Sequence, residues 1–241
     1  MTSLLKLDAV SKRFRGLIAV DQVSFAVPQG EIFAVIGPNG AGKTTLFNLI
    51  AGAMAPDGGS IVFAGQPIQG LPPDAICRRG LARTFQIVRP FPALSVEDNV
   101  IIGALQRHHD VEAARARALT LLQQLDLFDK RHRLAATLTL PDRKRLEVAR
   151  ALATEPQLLL LDEVMAGLRP IETDRMVAIL RALNRDSGLT ILLIEHVMRA
   201  VMALASRVLV LDHGTAIAAG APDAVVRDPA VVQSYLGVEA I

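Results

Sequence analysis

Short apolar runs recur along the chain and are separated by stretches with helical spacing. The runs rich in Leu and β-branched residues lie at Leu4–Leu7, Val23–Val27, Ile32–Ile36, Ile61–Phe63, Leu158–Leu161, Thr190–Ile194 and Val208–Leu211. Between them, apolar residues return at every third position, as at Leu119, Leu122 and Leu125. Strands that alternate with helices predict an α/β fold with a mostly parallel sheet.

The middle of the chain departs from this alternation. From about Ile87 to Ala153 helical patterns continue, but strand-like runs are few. We therefore predict one domain over residues 1–241, with a core at about 1–86 and 154–241 and a helical lobe inserted at about 87–153.

Composition narrows the function classes. Apolar residues make up 51% of the 241 residues and aromatics only 4%, which suits a parallel sheet covered on both faces. The net charge of +2 is too balanced to indicate a nucleic-acid binder. The single cysteine, Cys77, excludes an internal disulfide framework.

The apolar run Ile191–Leu211 contains four charged or titratable residues, so it makes a poor membrane span, and a partner would have to supply any membrane role.

A phosphate-binding loop follows the third apolar run. Ile32–Ile36 leads into Gly37–Thr44, which matches G-x-x-x-x-G-K-[ST], and a helical pattern follows. Glycines let the backbone turn its N–H groups towards phosphates, Lys43 reaches the β- and γ-phosphates, and the Thr44 hydroxyl ligates Mg²⁺. The predicted nucleotide-binding residues here are Gly37, Pro38, Asn39, Gly40, Ala41, Gly42, Lys43, Thr44 and Thr45.

Two carboxylates end the leucine run Leu158–Leu161. Acidic residues at the end of a buried parallel strand face the crevice in which such sheets bind ligands. Asp162 suits the Mg²⁺-associated position of P-loop nucleotidases, and Glu163 is a candidate base for the attacking water. Without the phosphate-binding loop, the same run would be read as a strand followed by a solvated turn.

These motifs, in this order and spacing, resemble the ATP-binding subunits of ABC transporters from Leu4 to about Gly237. The resemblance implies a P-loop NTPase fold: a mostly parallel RecA-like core sheet, antiparallel strands near the N-terminus and an inserted helical lobe. It also implies ATP and Mg²⁺ as cofactors, and ATP hydrolysis coupled to transport.

The resemblance assigns three further residues. Thr84-Phe85-Gln86 resembles the end of the strand that leads into the family's Q-loop, and Gln86 would contact Mg²⁺ or the water and sense the γ-phosphate. His196, after Ile194-Glu195, corresponds to the switch histidine that contacts the γ-phosphate. Phe14 corresponds to the aromatic that stacks on adenine. The implied catalytic residues are Glu163, His196 and Gln86, and the implied Mg²⁺ residues are Thr44, Gln86 and Asp162. Without the other motifs, Gln86 would be interpreted as a solvated loop residue, His196 as a hydrogen-bonded polar residue and Phe14 as a core residue.

Within the family, several sequence segments are similar to those of LivG-like subunits of branched-chain amino-acid (LIV-type) importers. The segments that carry this likeness are Phe14–Val20, Gly80–Gln86, Phe91–Val100, Arg145–Pro156 and Ser234–Gly237. It implies a LivF-like second cassette, two integral membrane permease subunits and, indirectly, a solute-binding protein, with the chain at the cytoplasmic face of the inner membrane. The segment Ile87–Val100 would receive the permease's coupling helix. The alternatives are an amide- or lipid-transporting ABC system, or a structural or regulatory cassette.

The family's signature loop, usually Leu-Ser-Gly-Gly-Gln, reads Leu138–Asp142 here. Pro141 has no N–H to offer a phosphate, and Asp142 is expected to add a repulsive negative charge. Alternatively, Thr139 caps a stable helix start. The D-loop also differs, with Arg169 where the family commonly has Asp. We expect one competent ATP site in a pair with an orthodox partner, and a weak or structural reciprocal site.

Overall fold

The computed structural model describes residues 3–86 and 89–236. Ile87, where the lobe is predicted to begin, and Gly237, where the family resemblance ends, lie outside the described residues. In the described part, no helix is long and apolar enough to cross a membrane.

Two sheets form the framework. The first sheet is antiparallel, in the order β2-β1-β4-β5, and consists of β1 (Ser3–Phe14), β2 (Leu17–Pro28), β4 (Gly58–Phe63) and β5 (Gln66–Pro67). The second has the order β10-β9-β3-β8-β7-β6 and consists of β3 (Ile32–Ile36), β6 (Leu81–Arg83), β7 (Leu158–Asp162), β8 (Thr190–Ile194), β9 (Arg207–Asp212) and β10 (Thr215–Gly220). Its pairs are parallel except β9–β10, so the predicted mostly parallel sheet and the antiparallel N-terminal strands are confirmed.

Helices cover both faces of the parallel sheet. They are α1 (Lys43–Ile50), α2 (Pro73–Arg78), α3 (Val96–Ala104), α4 (Val111–Gln124), α5 (Leu140–Leu152), α6 (Pro170–Ser187), α7 (Met198–Leu204), α8 (Pro222–Val225) and α9 (Pro229–Leu236), with 3₁₀ turns at Phe128–Lys130 and Ala135–Thr137. The insertion between β6 and β7 is helical, as predicted, and holds α3, α4 and α5. One apolar cluster joins sheet residues such as Ala34 to helix residues such as Leu121, and the boundaries of a separate lobe stay a prediction.

Local sequence explains where the inserted helices begin. The Ser95 hydroxyl accepts a hydrogen bond from the Asp98 N–H at 3.0 Å and caps α3. The Asp110 carboxylate accepts one from the Ala113 N–H at 3.0 Å and caps α4. These caps determine the first residues of α3 and α4, which the apolar periodicity alone locates only to within several positions.

The approach to the Q-loop differs from the prediction. Strand β6 ends at Arg83, so Thr84, Phe85 and Gln86 follow the strand rather than form its end. The N–H of Thr84 still donates to the Leu160 carbonyl at 2.9 Å, and strand pairing stops there. With three residues, β6 is too short to leave a strand pattern in the sequence.

Candidate active site

The phosphate-binding loop lies between β3 and α1 and depends on glycines at two close approaches. A Cβ on Gly37, whose φ is +147°, would lie 2.0 Å from the Leu211 carbonyl oxygen. A Cβ on Gly42, whose φ is +99°, would lie 2.2 Å from the Ala19 carbonyl oxygen. The loop therefore fits against β9 and β2 only without side chains at these positions.

Lys43 crosses the loop. Its Nζ donates to the carbonyl oxygens of Gly37 at 2.7 Å and Pro38 at 2.8 Å, and the residue is 8% exposed. Burial lowers the pKa of Lys43, while Glu163 and Asp162 oppose the shift. The loop thus holds the Lys43 ammonium group beside backbone N–H groups that can bind an anion.

The rest of the predicted loop residues line the same turn. Asn39, Gly40 and Thr44 are exposed, Pro38, Gly42 and Thr45 are half-buried, and Ala41 is buried. The eight-residue helix α1 begins at the end of this turn, and the first N–H groups of a helix have no partner within it, which favours anion binding.

Asp162 is fixed by an ion pair that sequence reasoning missed. It is the last residue of β7, is buried, and its Oδ2 accepts a hydrogen bond from Arg83 Nη2 at 2.8 Å. Arg83 Nη1 donates to Asn48 Oδ1 at 2.6 Å, which ties α1 to the same group. An arginine at the carboxyl end of β6 would have been a usable signal, because parallel neighbours end at one sheet edge. Because the prediction put the end of this strand at Thr84–Gln86, Arg83 was not recognised as its last residue.

The three predicted catalytic side chains meet at Glu163. Gln86 Nε2 donates to Glu163 Oε2 at 2.7 Å, and His196 Nδ1 lies 3.8 Å from the same oxygen. The N–H of Glu163 donates to the Ile194 carbonyl oxygen at 3.0 Å, and Glu163 has a φ of +50°. A non-glycine residue in this region costs conformational energy, and such strain collects at functional sites.

The predicted magnesium residues share one pocket. Thr44, Gln86 and Asp162 line a cavity of about 450 Å³ together with Arg83. A hydroxyl, an amide oxygen and a carboxylate are the oxygen ligands that Mg²⁺ prefers. Among the described residues no group of three His, Cys, Asp or Glu side chains could hold a metal. Thr44, Gln86 and Asp162 fit a Mg²⁺ ion whose remaining ligands would be phosphate and water oxygens.

Phe14 ends β1 and is 43% exposed, which excludes the alternative of a core phenylalanine. The strand that follows it, β2, reaches the phosphate-binding loop through the Ala19 carbonyl oxygen beside Gly42. An exposed ring on this hairpin is available to a planar ligand.

Two buried charged residues behind Glu163 were also missed. Lys144 in α5 donates from Nζ to the carbonyl oxygens of Glu163 at 2.9 Å and Gln86 at 3.3 Å. Glu195, which is 1% exposed, accepts a hydrogen bond at Oε1 from the Met165 N–H at 2.9 Å. Burial raises the pKa of Glu195 to about 7. Ordinary residue types inside helix and strand patterns carry no sign of such placement.

The start of α5 corrects two expectations about Leu138–Asp142. Thr139 precedes the helix, but its hydroxyl donates to Asp142 Oδ2 at 2.8 Å and, within the described residues, caps no backbone N–H. Asp142 is 2% exposed and pairs with Lys130 and Arg145, each at 2.5 Å. The predicted repulsive charge is wrong, since two cations neutralise it.

The pKa of Asp142 reflects this cluster. Burial acts to raise it, but hydrogen bonds from Lys130 and Thr139 hold the pKa below its ordinary value. Asp142 therefore stays ionised inside the protein, and its side chain acts as an internal brace for the first turn of α5.

The D-loop lies against the start of α5. A Cβ on Gly167 would lie 3.1 Å from Leu140 Cδ2, so the two segments are neighbours. Arg169 binds Glu172 at 2.5 Å on the surface, and Ile171 beside it is 75% exposed. Arg169 is thus held at the surface by a neighbouring residue of its own helix start.

Comparison with known proteins identifies the family. The family model described as ABC transporter matches residues 20–166, and that described as branched-chain amino acid ATP-binding cassette transporter matches residues 217–241. The chain is 38% identical to the high-affinity branched-chain amino acid transport ATP-binding protein LivG of Escherichia coli, covering 97% of this chain and 98% of that protein.

A second relative and a solved structure are also ATP-binding proteins of transport systems. The chain is 37% identical to the lipopolysaccharide export system ATP-binding protein LptB of Escherichia coli, covering 95% of each. A crystal structure of an ATP-binding cassette of an ABC transporter in its ADP conformation superposes with a TM-score of 0.90 at 30% identity, covering 98% of this chain and 100% of that one. The chain therefore belongs to the ATP-binding subunits of ABC transporters, the ATPases that power membrane transport.

Proposed function

We propose that this chain hydrolyses ATP to drive import of branched-chain or related amino acids through a membrane permease. The observation that carries hydrolysis is the convergence of Gln86 and His196 on the Glu163 carboxylate beside the phosphate-binding loop. The solute class is supported by the similarity to LivG and by the C-terminal family match.

The site residues divide the work of hydrolysis. The loop amides and Lys43 bind the phosphates, and Phe14 stacks on adenine. Thr44, Gln86 and Asp162 would hold Mg²⁺, which would neutralise phosphate charge. Glu163 accepts a proton from the attacking water, and His196 orients towards the γ-phosphate.

We further propose that this chain pairs with a second, LivF-like cassette. In the composite arrangement, the phosphate-binding loop of one cassette faces the signature loop of the other. Pro141 offers no N–H, and the Thr139 hydroxyl is engaged with Asp142 at 2.8 Å, so Leu138–Asp142 has fewer donors for a partner's phosphate. The pair would therefore hold one strong ATP site, built from this chain's loop and the partner's signature.

The permease is proposed to dock in a groove beside the Q-loop. Phe85, Phe91, Ile102 and Arg150 line a cavity of about 330 Å³ there, and the three apolar residues are exposed. One of two integral membrane permease subunits would insert its coupling helix here, which would place the chain at the cytoplasmic face of the inner membrane. A solute-binding protein would act on the far side.

The test of this motor is the size in solution of the Glu163→Gln variant with ATP and Mg²⁺, alone and with the partner cassette. We expect a monomer alone and a stable heterodimer with the partner. Glu112→Gln, an exposed position on α4, is the matched control and should keep hydrolysing ATP. ATP-dependent dimers of this chain alone would contradict the asymmetric arrangement, and turnover in the Glu163→Gln complex would contradict the role of Glu163.

The solute is tested separately. Proteoliposomes containing the assembled complex should take up leucine in the presence of ATP and lose that uptake with Glu163→Gln. ATP hydrolysis stimulated by an amide or by lipopolysaccharide, but not by a binding protein loaded with leucine, would favour the alternatives, of which the similarity to LptB supports lipid export.

A further inference from the structure

Lys144 is a buried lysine in the second turn of α5, the helix that begins within the signature loop. The residue is 4% exposed, and a lysine is rarely buried unless its ammonium group finds partners. Burial lowers the pKa of Lys144, while Glu195 and Glu163 oppose the shift. The position is therefore costly for the fold, and its contacts explain what it provides.

Within the described residues, both hydrogen-bond acceptors of the ammonium group are main-chain carbonyl oxygens at the candidate active site. Lys144 Nζ donates to the Glu163 oxygen at 2.9 Å and to the Gln86 oxygen at 3.3 Å. These are the two residues whose side chains meet at 2.7 Å. Lys144 thus closes a ring of hydrogen bonds, with the side chains joined on one side and the main chains joined on the other.

The ring also reaches the next turn of the chain. The Glu163 carbonyl oxygen accepts a second hydrogen bond from the Ala166 N–H at 3.1 Å, so the same oxygen serves Lys144 and the start of the D-loop. The adjacent Met165 N–H is held by the buried Glu195 carboxylate at 2.9 Å. A displacement of Lys144 would therefore loosen the Glu163 turn on one side while Glu195 holds it on the other.

From this geometry we infer that Lys144 is a positioning residue that sets the spacing of Gln86 and Glu163 and transmits movements of α5 to both. This inference rests on the proposed roles of Gln86 and Glu163 in hydrolysis. The last three residues of the signature loop, Leu140–Asp142, lie on α5 with Lys144, so a shift of the helix start moves the ammonium group with it. A partner cassette that binds at the start of α5 would therefore change the position of Glu163 through Lys144, without touching Glu163 itself.

The chemistry of the contact predicts which substitutions restore it. Methionine keeps the length and apolar stem of lysine but has no donor. Arginine has donors in a planar fork that can reach two carbonyl oxygens. A role that depends on donation is therefore lost in Lys144→Met and recovered in Lys144→Arg, whereas a role in packing alone is kept in Lys144→Met.

The experiment uses the chain assembled with its partner subunits and compares Lys144→Met, Lys144→Arg and the exposed control Lys6→Met. Lys144→Met should lower kcat by about tenfold or more and leave the affinity for ATP within about twofold. Hydrogen exchange at Ala166 should become faster in the same variant. Lys144→Arg should restore both readouts, and Lys6→Met should change neither. If Lys144→Met does not fold, Lys144→Gln, which keeps one donor group, is measured with the same readouts.

Unchanged kcat and unchanged exchange in Lys144→Met would overturn the inference, as would an arginine variant as defective as the methionine variant. Glu163→Gln in the same assay separates this failure from failure of the proposed function. If Glu163→Gln abolishes turnover while Lys144→Met does not change it, only the role of Lys144 is wrong.

Discussion

Gln86 and Glu163 lie 77 positions apart in the chain, yet the Gln86 side-chain amide donates to the Glu163 carboxylate at 2.7 Å. The contact exists because β6 and β7 are parallel neighbours, so the residues that follow them leave the sheet at one edge. The Gln86 amide thereby fixes the position of Glu163 Oε2, and that position depends on the conformation of the Q-loop.

Loss of this amide should slow hydrolysis more than it weakens binding. Gln86→Ala frees the Glu163 carboxylate, and we expect kcat to fall about tenfold to a hundredfold with little change in ATP affinity. Steady-state kinetics and equilibrium binding of the assembled complex measure both quantities. Gln123→Ala, an exposed glutamine on α4, is the control. Equal losses in kcat and affinity would show that Gln86 acts on nucleotide binding instead.

The buried ion pair between Arg83 and Asp162 should stabilise the fold. Arg83→Met leaves an uncompensated buried carboxylate, which we expect to lower the free energy of unfolding by about 3–5 kcal/mol. Chemical denaturation checks this. Arg78→Met, which breaks the exposed pair with Asp74, is the matched control and should cause no measurable change. Similar losses in the two variants would argue against a special role for the buried pair.

Glu195 should make stability depend on pH. Burial raises its pKa from an ordinary 4.5 to about 7, so between these values the folded chain holds a proton that the unfolded chain has released. The free energy of unfolding must then fall as pH rises through this window, by about 2–3 kcal/mol between about pH 5 and about pH 8. Denaturation of Glu195→Gln over the same range should lack this decline. A parallel decline in wild type and variant would assign it to other groups.

The glycine at the start of α1 should be irreplaceable. Gly42→Ala places a Cβ 2.2 Å from the Ala19 carbonyl oxygen at a φ of +99°, so the loop must move. We expect ATP affinity to fall by about tenfold or more, since the loop amides lose their aim. Gly65→Ala has a similar φ of +76° but no atom within 4 Å, and should cost only about 1–2 kcal/mol of stability with normal ATP binding. Normal ATP affinity in Gly42→Ala would refute this account.

Sequence patterns predicted the parts of the site that local chemistry specifies. The run Ile32–Ile36 coincides with β3, and the loop after it occupies the position that its glycines indicate. Asp162 and Glu163 follow the buried β7 as the leucine run predicts. In each case a continuous apolar run and its polar end are adjacent in the chain, so spacing alone locates them.

Residues brought together by tertiary packing were not predictable in the same way. Arg83 is the last residue of a strand of only three residues, and Lys144 has the residue type and spacing of a solvated helix position. Asp142 was expected to repel phosphate, because the sequence shows a carboxylate at a helix start. The two cations that neutralise it lie 12 positions before it and three after it, and only the fold shows that both reach it.

Lys43 has a consequence for the heat of nucleotide binding. Its ammonium group already donates to the Gly37 and Pro38 carbonyl oxygens at 2.7 and 2.8 Å. A phosphate that draws this group away exchanges two existing hydrogen bonds for new ones, so the enthalpy released is smaller than the number of new contacts suggests. A larger share of the affinity must then come from the charge of the phosphates, and adenosine, which has none, should leave the lysine where it is.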